Sequence, residues 1–177
     1  MDEIQQLIAE CAANNRVSQE KLYRKFFPPL ILLCRKFFPE NEDAMEALND
    51  GMLQVFIKIN SYDPAKGNFF NWAYTIVRRA AIDKIRQRPA PVMEILEDGP
   101  YVMEENTLAS LEWKDIYILL NALPPGTRAV CTLYYLEGFS IKDISIQLGQ
   151  SPGTIKWHLS ETRRKLKPIL EQHYLKK

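Results

Sequence analysis

Apolar residues recur along this chain at three- and four-residue spacing over most of its length, which predicts an all-α architecture. The clearest pair of segments lies between Gly138 and Lys167. Ile141, Ile144 and Leu148 share one helical face, and Leu148-Gly149-Gln150 breaks the pattern. Ser151 then offers an N-cap oxygen, and Pro152 sits where a helix tolerates a missing N–H. The second helix should bury Ile155, Leu159, Thr162 and Leu166. Its opposite side carries Gly153, Trp157, Ser160 and Arg164, flanked by Lys156, Arg163 and Lys167. A tight turn between two helices, with cations grouped on the free side of the second, describes a helix-turn-helix. Such a second helix fits the major groove of duplex DNA and holds phosphates at its N-terminus. A helical hairpin with a solvated charged face is the competing reading.

The earlier part of the chain follows the same logic. A short helix is predicted from Ile4 to Asn14, and Ser18 can cap a second that runs through Leu22, Tyr23 and Phe26. Pro28-Pro29 should interrupt or kink that helix. The pattern resumes through Leu30, Leu33, Cys34 and Phe37 and stops at Pro39. From Glu42 to Ile59 a helix with an acidic first turn buries Ala44, Leu48, Met52, Val55 and Ile59. It leaves Glu46, Asn49, Asp50 and Gln54 on a polar side, either a solvated face or a partner surface. Tyr62 to Asn68 reads as a loop with proline and glycine in turn positions. Asn68 then caps a helix to about Gln87. Phe69, Trp72, Ala73, Ile76 and Ala80 form its predicted stripe, which gives Trp72 a packing role. Asn71, Tyr74, Thr75, Arg78 and Arg79 lie off the stripe. Aromatic rings interleaved with cations are what a single-stranded nucleic acid requires, because phosphates are neutralised while bases stack.

Pro89 to Asn106 is acidic, contains proline and glycine, and reads as a linker: a solubilising spacer, or a strand that imitates a nucleic-acid backbone in a basic groove. Helices are predicted from Leu108 to Ala122, with Trp113 among its apolar residues, and from Thr127 to Glu137, where Gly138 stops the chain in the left-handed region. Pro168 should kink or end the last helix, leaving a basic tail.

Composition narrows the function. A chain of 177 residues accommodates one domain or two small ones, and its net charge of +1 conceals strong segregation. Asn41–Asp50 and Pro91–Glu112 carry acids without bases, whereas Lys66–Arg88 and Lys156–Lys177 are basic. The N-terminus has no secretory pattern and no apolar run approaches a bilayer span, so a cytoplasmic protein without membrane insertion is expected. Cys11, Cys34 and Cys131 are separate and apolar in context, hence reduced core residues. With only His158 and His173 beside them, no metal site can be assembled, and no cofactor-binding motif is present.

Several of these segments together resemble the bacterial sigma factors of the extracytoplasmic-function (ECF) group. They are Asp43-Ala44-Met45-Glu46-Ala47-Leu48-Asn49-Asp50, Tyr62-Asp63-Pro64-Ala65-Lys66-Gly67-Asn68-Phe69 with Trp72 following, and Ala81-Ile82-Asp83. Ala122-Leu123-Pro124-Pro125 and Ser151-Pro152-Gly153-Thr154-Ile155-Lys156 complete the set. The resemblance spans Val17 to Leu170 and implies a domain 2-like unit at 1–88, an acidic linker at 89–106 and a domain 4-like helix-turn-helix unit at 107–177. It implies that Glu46, Asn49, Asp50 and Gln54 dock on core RNA polymerase. Tyr62, Lys66 and Asn68 would receive a base flipped from the minus-ten promoter element, with Asn71, Tyr74, Thr75, Arg78 and Arg79 along the same strand. Ser151, Gly153, Thr154, Lys156, Trp157, His158, Ser160, Arg163 and Arg164 would read the minus-thirty-five duplex. The linker would thread toward the active-site and RNA-exit channels, and an anti-sigma factor would be a partner.

Against the family pattern, Asn49 and Asp50 are shorter than the usual glutamine and glutamate. Trp157 and His158 replace small polar and arginine residues, and Glu161 replaces a base. From these positions Trp157 could press on thymine methyls and Glu161 could accept from cytosine. A stand-alone helix-turn-helix regulator would leave the first half without purpose. An enzyme built on Glu42, Asp43 and Glu46 would lack any accompanying phosphate loop or nucleophile.

Overall fold

The computed structural model describes residues 3–87 and 112–173, and among them there is no β-strand. The chain divides into two compact units, Met1–Lys84 and Ile85–Lys177. The first contains α1 (Glu3–Ala12), α2 (Arg16–Phe37), α3 (Asn41–Lys58) and α4 (Phe69–Arg86), with single 3-10 turns at Ile59–Ser61 and Pro64–Lys66. The second contains α5 (Trp113–Asn121), α6 (Pro125–Cys131), a π-turn at Thr132–Leu136, α7 (Ile141–Leu148) and α8 (Pro152–His173). The acidic linker, Leu108, Leu111 and the end of the basic tail lie outside the described residues.

Asn14 takes the left-handed conformation (φ 60°) that an asparagine tolerates, which reverses the chain after α1. The cap of α2 is Asn15, not Ser18: its Oδ1 accepts from the backbone N–H groups of Val17 at 3.0 Å and Ser18 at 3.2 Å. Ser18 is buried and donates its hydroxyl to Glu10, joining α2 to α1. Pro28-Pro29 does not interrupt α2, which is one helix of 22 residues. The two prolines and the carbonyl-bearing residues four positions earlier, Arg24 and Lys25, are all exposed, so water takes the acceptors that the helix loses.

The apolar side of α2 (Leu22, Phe26, Leu30, Leu33, Cys34, Phe37) and the predicted stripe of α3 are buried, with Ala47 and Gly51 beside it. On α4 the buried line is Phe69, Ala73, Val77 and Ala81, rotated from the predicted one. Trp72, Ile76 and Ala80 are only half-buried at its edge.

In the second unit Ile116, Leu119, Leu120, Leu123, Cys131, Leu166 and Leu170 make one core from α5, α6 and α8. Trp113 does not contribute to it and is 60% exposed. The predicted helix through Glu137 loosens after Cys131 into the π-turn, closed by a bond from Glu137 N–H to the Thr132 carbonyl at 3.0 Å. Gly138 has φ 72° and stops it as predicted. Pro168 leaves α8 unbroken; both it and Arg164, whose carbonyl loses its donor, are exposed.

Candidate functional site

Local chemistry builds the first site, at the start of α4. Asp63 Oδ1 accepts from the Ala65 N–H at 3.0 Å and Asn68 Oδ1 from the Asn71 N–H at 2.8 Å, so two side chains shape the loop and open the helix. Between them Gly67 adopts φ 141°, which a residue with a side chain rarely takes. The Tyr62 hydroxyl donates to the Gly67 carbonyl at 3.0 Å and closes the loop on itself. The loop and the first two turns of α4 enclose an open cavity of about 330 Å³. It is lined by Ser61, Tyr62, Asp63, Lys66, Gly67, Asn68, Asn71, Trp72 and Thr75.

Its walls are of two kinds. The Tyr62 and Trp72 rings have centroids 5.6 Å apart, and each also packs on Phe69, at 5.2 and 5.4 Å. Polar groups of Ser61, Asn68, Asn71 and Thr75 form the rest with the Gly67 backbone and an ion pair, Lys66 Nζ standing 3.6 Å from Asp63 Oδ2. Trp72 therefore lines the cavity as well as packing on Tyr62 and Phe69, so the packing role expected from its spacing is only part of its position. Ala73, one residue on, is the one that turns fully inward.

The remaining predicted α4 residues form two groups. Arg79 is exposed and lies four residues beyond Thr75, on the same line as Asn68. Tyr74 and Arg78 occupy the adjacent line: the Arg78 guanidinium lies 5.8 Å from the Tyr74 ring centre, and Tyr74 packs on Phe70 at 5.8 Å. Lys36 of α2, unsuspected from sequence, stands 3.5 Å from the Tyr74 hydroxyl.

On α3, Glu46, Asn49 and Asp50 are exposed and Gln54 is half-buried. Two are already engaged: Lys84 of α4 meets Glu46 at 2.5 Å, and the Tyr23 hydroxyl donates to Asn49 Oδ1 at 2.8 Å. Asp50 continues into Leu53 and Ile57, which are 56% and 62% exposed.

The second site is the helix-turn-helix. Ser140 Oγ accepts from the Asp143 N–H at 3.1 Å and begins α7. Gly149, with φ 66°, ends it. Ser151 Oγ accepts from the Thr154 N–H at 3.1 Å and begins α8. Ile155, Leu159, Thr162 and Leu166 are buried as the spacing requires. Ser151, Gly153, Lys156 and Arg164 are exposed, and Thr154, Trp157, Ser160 and Arg163 are half-buried.

Three residues of α8 differ from expectation. His158 is 1% exposed, and its Nδ1 lies 3.0 Å from Thr127 Oγ1 of α6, so it cannot touch DNA. Burial lowers its pKa to about 4, against the pull of Glu161, and keeps it neutral. Glu161 is also buried; Arg164 bonds it through two nitrogens at 2.7 and 2.8 Å, which removes it as an acceptor for cytosine. Arg163 leans inward with Nη1 3.4 Å from the Tyr135 hydroxyl. The one sequence signal for the burial of His158 is its place three residues after Ile155 and four before Thr162, within the apolar stripe; the Thr127 hydroxyl that meets it there is set by the fold.

Among the described residues no group of histidine, cysteine, aspartate and glutamate could hold a metal ion, and no helix is long and apolar enough to cross a membrane.

Sigma-70 region 2 matches residues 22–89, and Sigma-70 region 4 matches residues 114–166. The ECF RNA polymerase sigma factor SigM of Mycobacterium tuberculosis is 30% identical over 167 residues, covering 93% of this chain and 83% of that protein. SigE of Mycolicibacterium smegmatis is 27% identical, with 88% of this chain and 63% of that protein covered. SigM of Bacillus subtilis is 24% identical, with 85% and 93% covered. The matched ranges of this chain include the cavity, the acidic α3 edge and the helix-turn-helix, and the chain belongs to the ECF RNA polymerase sigma factors, proteins of transcription initiation.

Proposed function

We propose that this sigma factor docks on core RNA polymerase through the Glu46, Asn49, Asp50 and Gln54 side of α3, extended by Leu53 and Ile57. The cavity beside Tyr62 and Trp72 takes a base flipped from the non-template strand of the minus-ten element. Asn68, Asn71 and Thr75 offer donors and acceptors to its edge, and the rings offer stacking surface. Lys66 and Arg79 neutralise phosphates next to the cavity, and Tyr74 with Arg78 extends the path along α4. Ser151, Gly153, Thr154, Lys156, Trp157, Ser160 and Arg164 of α8 read the minus-thirty-five duplex, with His158 behind them. In this assignment residues 1–88 and 107–177 are the two DNA-binding domains, and the acidic segment 89–106 occupies a basic channel of the polymerase. The protein performs no covalent chemistry, works in the cytoplasm, and has an anti-sigma factor as a partner.

The observation that carries this reading is the cavity, where aromatic walls and a polar rim meet at an open mouth. Extruding a base costs a few kcal/mol, and stacking returns roughly 1–3 kcal/mol per base. Polymerase reconstituted with Trp72→Ala or Asn71→Ala should therefore open promoter DNA roughly tenfold less well, read by permanganate reactivity of unpaired thymines. Association with core polymerase should be unchanged. Normal opening by both variants would remove the assignment of the pocket.

A further inference from the structure

On α8 two adjacent aromatic residues have opposite environments. Trp157 is half-buried on the outer side, whereas His158 is 1% exposed. Their rings meet edge to face, with centroids 4.9 Å apart and planes at 70°. His158 is held in turn: its Nδ1 lies 3.0 Å from Thr127 Oγ1, and its carbonyl accepts from Thr162 Oγ1 at 2.9 Å. The imidazole is thus a fixed wall, anchored to α6, against which the indole rests. Four residues before Trp157 the helix presents Gly153, where an added Cβ would meet only Ser151 Oγ at 3.6 Å. Long helical side chains turn toward the preceding turn, so the indole has clear space on the side where a base edge would approach.

A recognition helix usually reads base edges with hydrogen bonds, and an indole offers one donor and no acceptor. Its large surface is suited instead to the only methyl group in the major groove, that of thymine. We propose that Thr127 and His158 form a positioning relay that holds the Trp157 indole as a reader of a thymine C5-methyl in the upstream promoter duplex. This rests on the assignment of α8 as the duplex-reading helix. His158 and Thr127 act through Trp157 and touch no base; Trp157 is the specificity determinant. Pre-ordering matters because a half-exposed tryptophan free to change rotamer would lose entropy on binding.

The test uses core polymerase reconstituted with the full chain and two pools of duplex fragments randomised across the upstream element. One pool is synthesised with thymidine triphosphate and the other with deoxyuridine triphosphate, which differs only by the methyl. With the native chain the thymine pool should yield a motif containing a thymine position whose enrichment falls roughly fourfold in the uracil pool. Trp157→Ala should give the same motif from both pools. Thr127→Val, remote from the DNA, should lower the thymine-to-uracil ratio while leaving the salt dependence of binding unchanged. Identical motifs from the native chain overturn the methyl contact without recourse to any variant. A full ratio with Thr127→Val, or equal loss from both pools, overturns the relay. Absence of any upstream motif from either pool removes α8 as the reader, a failure distinct from the loss of one methyl-dependent position.

Discussion

Gly51 of α3 lies so close to α4 that a Cβ added to it would stand 2.8 Å from the Val77 Cα and 2.9 Å from Val77 Cγ2. The helix that carries the acidic edge and the helix that carries the cavity are thus in backbone contact, and no side chain fits between them. Gly51→Ala should destabilise the first unit by about 1–3 kcal/mol, despite the better helix propensity of alanine, because a backbone atom cannot move aside. Denaturant unfolding checks this. Adding Val77→Ala should restore only part of the loss, since the contact with the Val77 Cα persists; a Gly51→Ala chain as stable as the native one would show that α3 and α4 separate freely.

Lys84 divides the acidic edge of α3 into an internally paired part and an open part. Glu46 is held by Lys84, whereas Asp50 is exposed and leads to Leu53 and Ile57. Asp50→Lys combined with Leu53→Asp should weaken association with core polymerase more than tenfold while changing stability by less than about 1 kcal/mol, as expected of exposed positions. Glu46→Lys adds a like charge beside Lys84, so its effect on binding would mix with a local rearrangement. Native-strength association of the Asp50→Lys, Leu53→Asp chain, measured by co-purification or fluorescence titration, removes this face from the interface.

Acid should weaken the second unit through His158. Its folded pKa is depressed to about 4 from 6.5, chiefly by burial, so between those values the unfolded chain binds more protons and stability rises with pH. The contribution is complete above about pH 6.5 and is lost as the pH falls toward 4, about 3 kcal/mol at most. The hydrogen bond from Arg164 holds the Glu161 carboxyl below its ordinary value of 4.5, so Glu161 adds its own acid sensitivity as the pH falls below that value. Stability measured from pH 7 to 4.5 should fall, and the slope should flatten in His158→Asn. An unchanged slope would mean that His158 is charged in the folded protein.

The thiols should be inert in the folded chain. Burial pushes Cys11 up to about 11 and Cys34 and Cys131 up to about 12, and the thiolate is the reactive form. A thiol-titrating disulfide reagent at pH 8 should label none of the 3 cysteines in the native protein and all of them in denaturant. Rapid labelling of Cys34 alone would reveal local opening of α2.

The sequence alone determined where helices begin and end when the deciding contact is local. Asn68 and Ser151 cap through bonds to an N–H three residues away, and Gly138 and Gly149 stop helices by a backbone angle that needs no distant partner. It also determined the buried stripes of α3 and α8, where apolar residues fill one narrow arc. Tertiary packing decided what a broad arc leaves open. On α4, Trp72, Ala73, Ile76, Val77, Ala80 and Ala81 cover so much of the surface that spacing admits more than one inward face. The approach of Val77 to Gly51 selects the one that turns Trp72 into the cavity. Packing likewise decided the fate of a polar residue inside a stripe: His158 reads as a surface group until Thr127, from another helix, meets it. A polar side chain is buried only when a partner meets it there, and that partner's position is a property of the fold.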